Sequence, residues 1–384
     1  MIDAVMEGAR ERAGNLWALT VGGGIRPERR TPHVVVAEGE HRTLRRFADD
    51  GAVAAARETG RPPVLLIPPI AAPATSYDLS DEHSLVAHLA STGRVPYVID
   101  FGEVGYRDRW MSFETFVVDI IPQAIERAIA DYYGEDAGDG EVDLLAWSLG
   151  GTLAFLTAGT APRPIRSITA VATPLDYMKL WGYPTVIAAN RPTGGVVPSA
   201  LLRLAGGIPA PIVRLGYRAT SWDRELKKPW FILTHLDETE TLARMEIINR
   251  FQRTFPGYPG KMTVQYWERL ILGGQLAAGR VELDEAVADL RGIDVPIQLF
   301  GSHRDALCSW QAARYGVDLF DGSPRVQFST VESSHLGLIA GPDAVRETWP
   351  TIDTFLASLD EDASVSAESG SDDKTGPADT PVAP

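Results

Sequence analysis

Between residues 33 and 175, short runs of β-branched and other apolar residues alternate with stretches whose apolar positions recur every three or four residues. The runs have the character of buried strands and the stretches that of helices with one buried face, so the pattern predicts an α/β fold: a mainly parallel sheet covered by helices. Residues 33–39 and 43–47, HVVVAEG and TLRRF, read as a leading hairpin. Apolar runs follow at 63–70 (PVLLIPPI), 95–102 (VPYVIDFG), 142–148 (VDLLAWS) and 165–174 (IRSITAVATP). Their near-continuous hydrophobicity marks strands covered on both faces. Helix-like stretches lie between them at 81–91, 113–133 and 152–159. In the longest, Phe116, Val117, Ile120, Ile121, Ala124, Ile125 and Ile129 recur at spacings of one, three or four.

The rhythm breaks at 176–292, where Pro, Gly, Trp and helix-like segments replace strands, which predicts a largely helical cap inserted over the strand ends. Strands resume at 296–301 (PIQLFG) and 326–332 (VQFSTVE), with a helix at 309–319 between them and a closing helix at 343–359. The expected division is an N-terminal extension (1–32), a core in two parts (33–175 and 293–359), the cap (176–292) and an acidic tail (360–384). That tail holds Asp360, Glu361, Asp362, Glu368, Asp372, Asp373 and Asp379 against Lys374 alone. With no apolar periodicity it has too little surface to bury to offset the entropy of ordering, so disorder is expected there.

Composition narrows the function. The chain has 384 residues, 45% hydrophobic and 23% charged, ample for a large core. Its one cysteine, Cys308, rules out an internal disulfide, a cysteine zinc cluster and a CxxC redox pair. A formal charge of −15 would repel a phosphate backbone, so no nucleic-acid partner is expected. No run of apolar residues is long enough to span a bilayer, and the opening MIDAVMEGARER lacks the basic-then-apolar layout of a secretory signal. A cytoplasmic location is expected.

Candidate chemistry centres on Ala146-Trp147-Ser148-Leu149-Gly150-Gly151, where a buried strand turns into a helix. Such a turn lifts a serine hydroxyl out of the sheet, and small residues two before and two after it avoid a clash. A hydroxyl is a weak nucleophile at neutral pH and needs a base, itself oriented by an acid. Asp305 follows strand 296–301 and His335 follows strand 326–332, so acid and base both sit at carboxyl ends of strands, in the order Ser, Asp, His. Asp176, after strand 165–174, is the alternative acid, and His303 reads as a loop residue. Two N–H donors for an oxyanion are expected, one from Leu149 and one from the Pro-rich loop after strand 63–70, where Pro68, Pro69 and Pro73 lack an N–H and leave Ile70, Ala71 or Ala72, with Ala71 favoured. His235 to Glu240 has no metal-ligand spacing, and Gly22-Gly23-Gly24 lacks the context of a phosphate loop. The arginines at 26, 29, 30, 42, 45 and 46 read as a solvated basic face. No metal or organic cofactor is expected.

The strand order, elbow and Ser-Asp-His order together resemble the α/β-hydrolase superfamily over residues 40–359. Within it, VPYVIDFG with the following helix, LLAWSLGGTLAF (144–155), TPLDY (173–177), residues 256–283, VPIQLFGSHRDAL (295–307) and SSHLGLIAGP (333–342) are similar to segments of polyhydroxyalkanoate synthases. The resemblance implies an α/β-hydrolase fold with a cap and acyl-transfer chemistry. Those synthases use a cysteine at the elbow to pass hydroxyacyl groups from coenzyme A, whereas this chain has Ser148. The serine points to hydrolysis of carboxylic esters, lipid-like or hydroxyacyl, with a small-molecule acyl ester or acyl-CoA as partner. Acyl transfer of the synthase type and a non-catalytic binding role remain the alternatives. Contact with a lipid surface and the oligomeric state are left open.

Overall fold

The computed structural model describes residues 2–26, 30–219 and 222–372. Eight strands form its central sheet: β1 (Val34–Ala37), β2 (Thr43–Arg46), β3 (Val64–Ile67), β4 (Pro96–Asp100), β5 (Val142–Trp147), β6 (Ile165–Val171), β7 (Ile297–Gly301) and β8 (Val326–Thr330). Their spatial order is β1-β2-β4-β3-β5-β6-β7-β8. The leading hairpin pairs antiparallel with itself and with β4, and every later neighbour is parallel. Each apolar run of the sequence is therefore a strand. The chain reverses its direction of travel across the sheet after β4, which puts a crevice at the carboxyl ends of β3 and β5, the usual location of a site in such a sheet.

Alternate side chains along the strands feed two separate cores. Leu65, Ile67, Leu144 and Ala146 face one, with helix residues Ile121, Ile125 and Leu153. Val64, Leu66, Leu145 and Trp147 face the other, with Leu85, Ile352 and Phe355. This two-sided burial is what the unbroken hydrophobic runs require.

The helix expected at 113–133 is present but opens with a π-helical segment, Thr115–Ile120, before the regular helix Ile121–Tyr133. Pro122 lacks an N–H and crowds the carbonyl of the preceding turn, and a widened turn relieves that conflict. The cap is largely helical. It includes α-helices Tyr183–Asn190, Val196–Ala205, Ala210–Ala219, Trp222–Thr234, Thr239–Arg253 and Gly260–Gln265. The N-terminal extension contributes helix Ile2–Thr20, held to the cap where Arg12 pairs with Asp237 at 2.7 Å and the Asn15 amide donates to Leu236 O and Thr239 Oγ1.

One boundary differs from expectation. The closing helix runs Trp349–Asp372, well into the stretch expected to be disordered, and residues 373–384 lie outside the described residues. The acids there are not all idle: Asp360 accepts from Arg94 and Arg166, at 2.7 Å each, and Asp362 pairs with Arg325 at 3.6 Å. These pairs hold the helix past its last large apolar contact, Leu359.

Candidate active site

Ser148 separates β5 from the helix Leu149–Thr160 and has φ 55° and ψ −125°, a conformation non-glycine residues rarely adopt. Its neighbours make that turn feasible. A Cβ on Gly150 would lie 2.1 Å from Ile67 O, and one on Gly151 would lie 2.0 Å from Thr173 Oγ1, so the helix can approach β3 and the loop after β6 only with glycine at both positions. The turn is then pinned: Ser148 N donates to Val171 O (2.8 Å) and Thr173 Oγ1 donates to Ser148 O (3.0 Å). Local strain held by surrounding hydrogen bonds aims the hydroxyl away from the sheet.

The loops after β7 and β8 deliver the other two groups. His335 Nε2 lies 2.9 Å from Ser148 Oγ, and His335 Nδ1 lies 2.7 Å from Asp305 Oδ2. The second oxygen of Asp305 accepts from the backbone N–H of Leu307 (2.8 Å) and Cys308 (3.0 Å). Both loops are tied together by Ser302, whose hydroxyl donates to Ser333 O and accepts from Ser333 N. The Asp305 carboxyl is fully buried, whereas Ser148 retains partial access. This arrangement can take a proton from the serine hydroxyl through a ring whose far nitrogen is held by a carboxylate.

Asp176 is elsewhere engaged: it caps its own turn through Met178 N (2.9 Å) and lies 3.6 Å from Lys179 Nζ. Both ring nitrogens of His335 already have partners, which leaves Asp176 outside the arrangement. His303 pairs with Glu332 at 2.5 Å on the surface. Leu149, as first residue of its helix, has an N–H without an intrahelical acceptor. Ala71 is buried in the loop after β3, and its N–H has no acceptor among the described residues, whereas Ala72 N donates back to Pro69 O at 3.2 Å.

Three further groups bear on the site. The Trp147 indole donates to His335 O (3.1 Å) and packs on the imidazole with ring centroids 5.2 Å apart. Tyr217, from the cap, approaches Asp305, and burial followed by the Asp305 charge pushes its phenol up to about 12. Cys308 is buried beside Asp305, and burial, with that carboxylate, pushes its thiol well above the usual value. Trp147 and Cys308 are signalled in the sequence by their places near Ser148 and Asp305, whereas Tyr217 arrives from the cap and is not. A cavity of about 750 Å³ is lined by Trp147, His335, Tyr217, Phe251 and Phe255. Ser148 is not among its lining residues; the cavity reaches the site from the His335 side.

Glu40, His41 and Asp108 are the described residues whose His and carboxylate atoms gather closely enough to hold a metal, within 4.8 Å of one another. His41 Nδ1 also lies 2.7 Å from Phe101 O and Nε2 3.2 Å from Asp108 Oδ1, contacts that pin the leading hairpin to the loop after β4. No helix among the described residues is long and apolar enough to cross a membrane.

A family described as the alpha/beta hydrolase fold matches residues 62–195, from just before β3 to just past the first cap helix, Tyr183–Asn190. Poly(3-hydroxyalkanoate) polymerase subunits are similar over more of the chain. That of Haloarcula marismortui is 23% identical over 72% of this chain, and that of Allochromatium vinosum 22% identical over 73% of this chain and 76% of its own. The match spans only 56% of the Haloarcula protein. Among solved structures, the mouse alpha/beta hydrolase domain-containing protein 10 aligns over 85% of this chain and 99% of its own, at TM-score 0.48 and 15% identity.

Proposed function

From a chain with the α/β-hydrolase fold and similarity to polyhydroxyalkanoate polymerases, we propose a serine hydrolase that cleaves carboxylic esters, lipid-like or hydroxyacyl, through an acyl-serine intermediate. The observation that carries this reading is the continuous hydrogen-bonded series Asp305–His335–Ser148, built on a strained turn with serine at its head. Ser148 Oγ attacks the ester carbonyl carbon as His335 Nε2 takes its proton, and the oxyanion turns to the N–H groups of Leu149 and Ala71. Collapse breaks the carbon–oxygen bond to the alcohol, which leaves with the proton from His335. Water then repeats the sequence and frees the acid and the serine. Asp305, 2.7 Å from His335 Nδ1, holds the imidazole in the tautomer with its proton on that nitrogen. Cys308 cannot substitute as nucleophile: it sits on the acid's loop and its thiol resists ionisation.

Acyl transfer from acyl-CoA is the second reading, favoured by similarity to the polymerase subunits over most of the chain. One experiment separates the two. Wild type and Ser148→Ala are given a chromogenic acyl ester series and, separately, 3-hydroxyacyl-CoA, with release of acid, release of CoA and formation of polymer followed. Serine-dependent acid release without polymer is expected. Polymer with CoA release would move the assignment to acyl transfer, and no turnover of either substrate, with no fluorophosphonate labelling, would leave a binding role.

A further inference from the structure

The outer cap differs from the rest of the molecule in both charge and surface. Between Asp176 and Asp223 there is no acid, while Lys179, Arg191, Arg203, Arg214 and Arg218 supply five cations, in a chain of net charge −15. The same segment turns large apolar side chains to solvent: Trp181 is 96% exposed and Leu204 81%. On helix Val196–Ala205, the exposed Val197, Leu201 and Leu204 recur at i, i+4 and i+7, a single stripe, while Ser199 is buried on the side that rests against helix Gly260–Gln265. The next helix, Ala210–Ala219, repeats the arrangement, with Ile212 and Leu215 exposed and Val213 buried. At the end of the first of these helices a Cβ on Gly206 would touch the Tyr106 ring at 2.5 Å, so the exposed Tyr106 and Trp110 and the half-buried Arg109 adjoin the same region. The Arg109 guanidinium there lies 4.7 Å from the Tyr106 ring centre and 4.9 Å from that of Trp110.

Lys179 and Arg203 pair with Asp176 and Glu268 at the edge of the segment, at 3.6 and 3.0 Å, but the segment itself carries no acid. Exposed Trp and Leu interspersed with cations such as Arg191 and Arg218 are the chemistry of a helical surface lying in the headgroup zone of an anionic bilayer. The apolar groups enter the acyl boundary and the cations meet phosphate. A second copy of the chain suits this face less well, because self-docking would bring cation to cation. We propose that residues 177–219, together with Tyr106–Trp110, dock this protein on an anionic lipid surface. The inference does not depend on whether the acyl acceptor at Ser148 is water or an alcohol.

Full-length protein is sedimented with vesicles of phosphatidylcholine alone and of phosphatidylcholine with an equal part of phosphatidylglycerol. Binding to the anionic vesicles is expected, at least about tenfold weaker on the neutral ones. The Trp181→Ser/Leu204→Ser variant is expected to lose at least about tenfold in affinity, and Arg191→Gln/Arg218→Gln to lose most of the preference for phosphatidylglycerol. Thermal melts and turnover of a water-soluble short-chain ester, both expected at the wild-type level, verify that the variants are folded and keep the docking question apart from the chemistry at Ser148. No binding to anionic vesicles, equal binding to both kinds, or undiminished binding by the apolar variant overturns the proposal. So does a concentration-dependent dimer in sedimentation velocity that Trp181→Ser/Leu204→Ser abolishes, which would give the face to a second copy.

Discussion

Ser148 holds a backbone conformation that costs on the order of 1–3 kcal/mol by itself, so its neighbours must supply the stability that keeps it there. Gly150→Ala tests this directly. Its new Cβ would meet Ile67 O at 2.1 Å, which backbone atoms cannot relieve without moving the helix off β3. A loss of roughly 2–3 kcal/mol in urea unfolding is expected, together with a fall in ester turnover, since the Leu149 N–H moves with the helix. Asp305→Asn should instead leave stability nearly intact and lower kcat by about 10⁴-fold, because the amide favours the wrong imidazole tautomer. At this scale the sequence was most informative for Ser148, Asp305 and His335, each at a strand's carboxyl end in a fixed order. The rest was hidden because it depends on reach across the fold: the Trp147 indole meets a carbonyl 188 residues downstream, and no local spacing encodes that.

The joint between cap and core turns on Glu114. Its carboxylate accepts from the Gln265 amide at 3.0 Å in one cap helix, and also from Asp284 N, so one side chain joins the entry to the Ile121–Tyr133 helix with both ends of the cap's last segment. Burial works to raise its pKa, but the hydrogen bonds from Ser112, Gln265 and Asp284 outweigh it and hold the group below the usual carboxylate value. A carboxylate depressed on folding contributes stability that is present above its unfolded pKa and is lost as pH falls through its folded one. Acidification below about pH 4.3 should therefore loosen the cap, seen as faster amide exchange in residues 260–290. In Glu114→Gln that part of the pH dependence should flatten. The helix at 113–133 was evident from its periodicity, while its π-helical opening was not. Pro122 was the available clue, but periodicity does not say how a helix accommodates the missing N–H.

Across the whole molecule, the end of the sheet remote from Ser148 is fastened by charge. Asp143, at the start of β5 and 1% exposed, accepts two hydrogen bonds from Arg166 and one from Ser167, and Arg166 also reaches Asp360 on the closing helix. Removing the carboxylate strands a mostly buried guanidinium, so Asp143→Ala should cost on the order of 3–5 kcal/mol, measured as a lowered denaturation midpoint. This network explains why the tail was misjudged: low hydrophobicity argued for disorder, but acids at its start find arginines brought together only by the fold. The α/β layering was legible because strand burial on both faces leaves unbroken apolar runs, whereas the cap's helices were expected but not their packing, since their Leu and Val face solvent as well as the core and the apolar stripe does not mark the buried side.

The proposed hydrolysis requires Ser148 to become acylated with help from His335, and fluorophosphonate labelling with peptide mass mapping tests that most directly. The predicted result is one adduct, on the peptide carrying Ser148, absent in Ser148→Ala and slowed at least about 10³-fold in His335→Ala. An adduct on another residue, or labelling that persists unchanged in either variant, would contradict it.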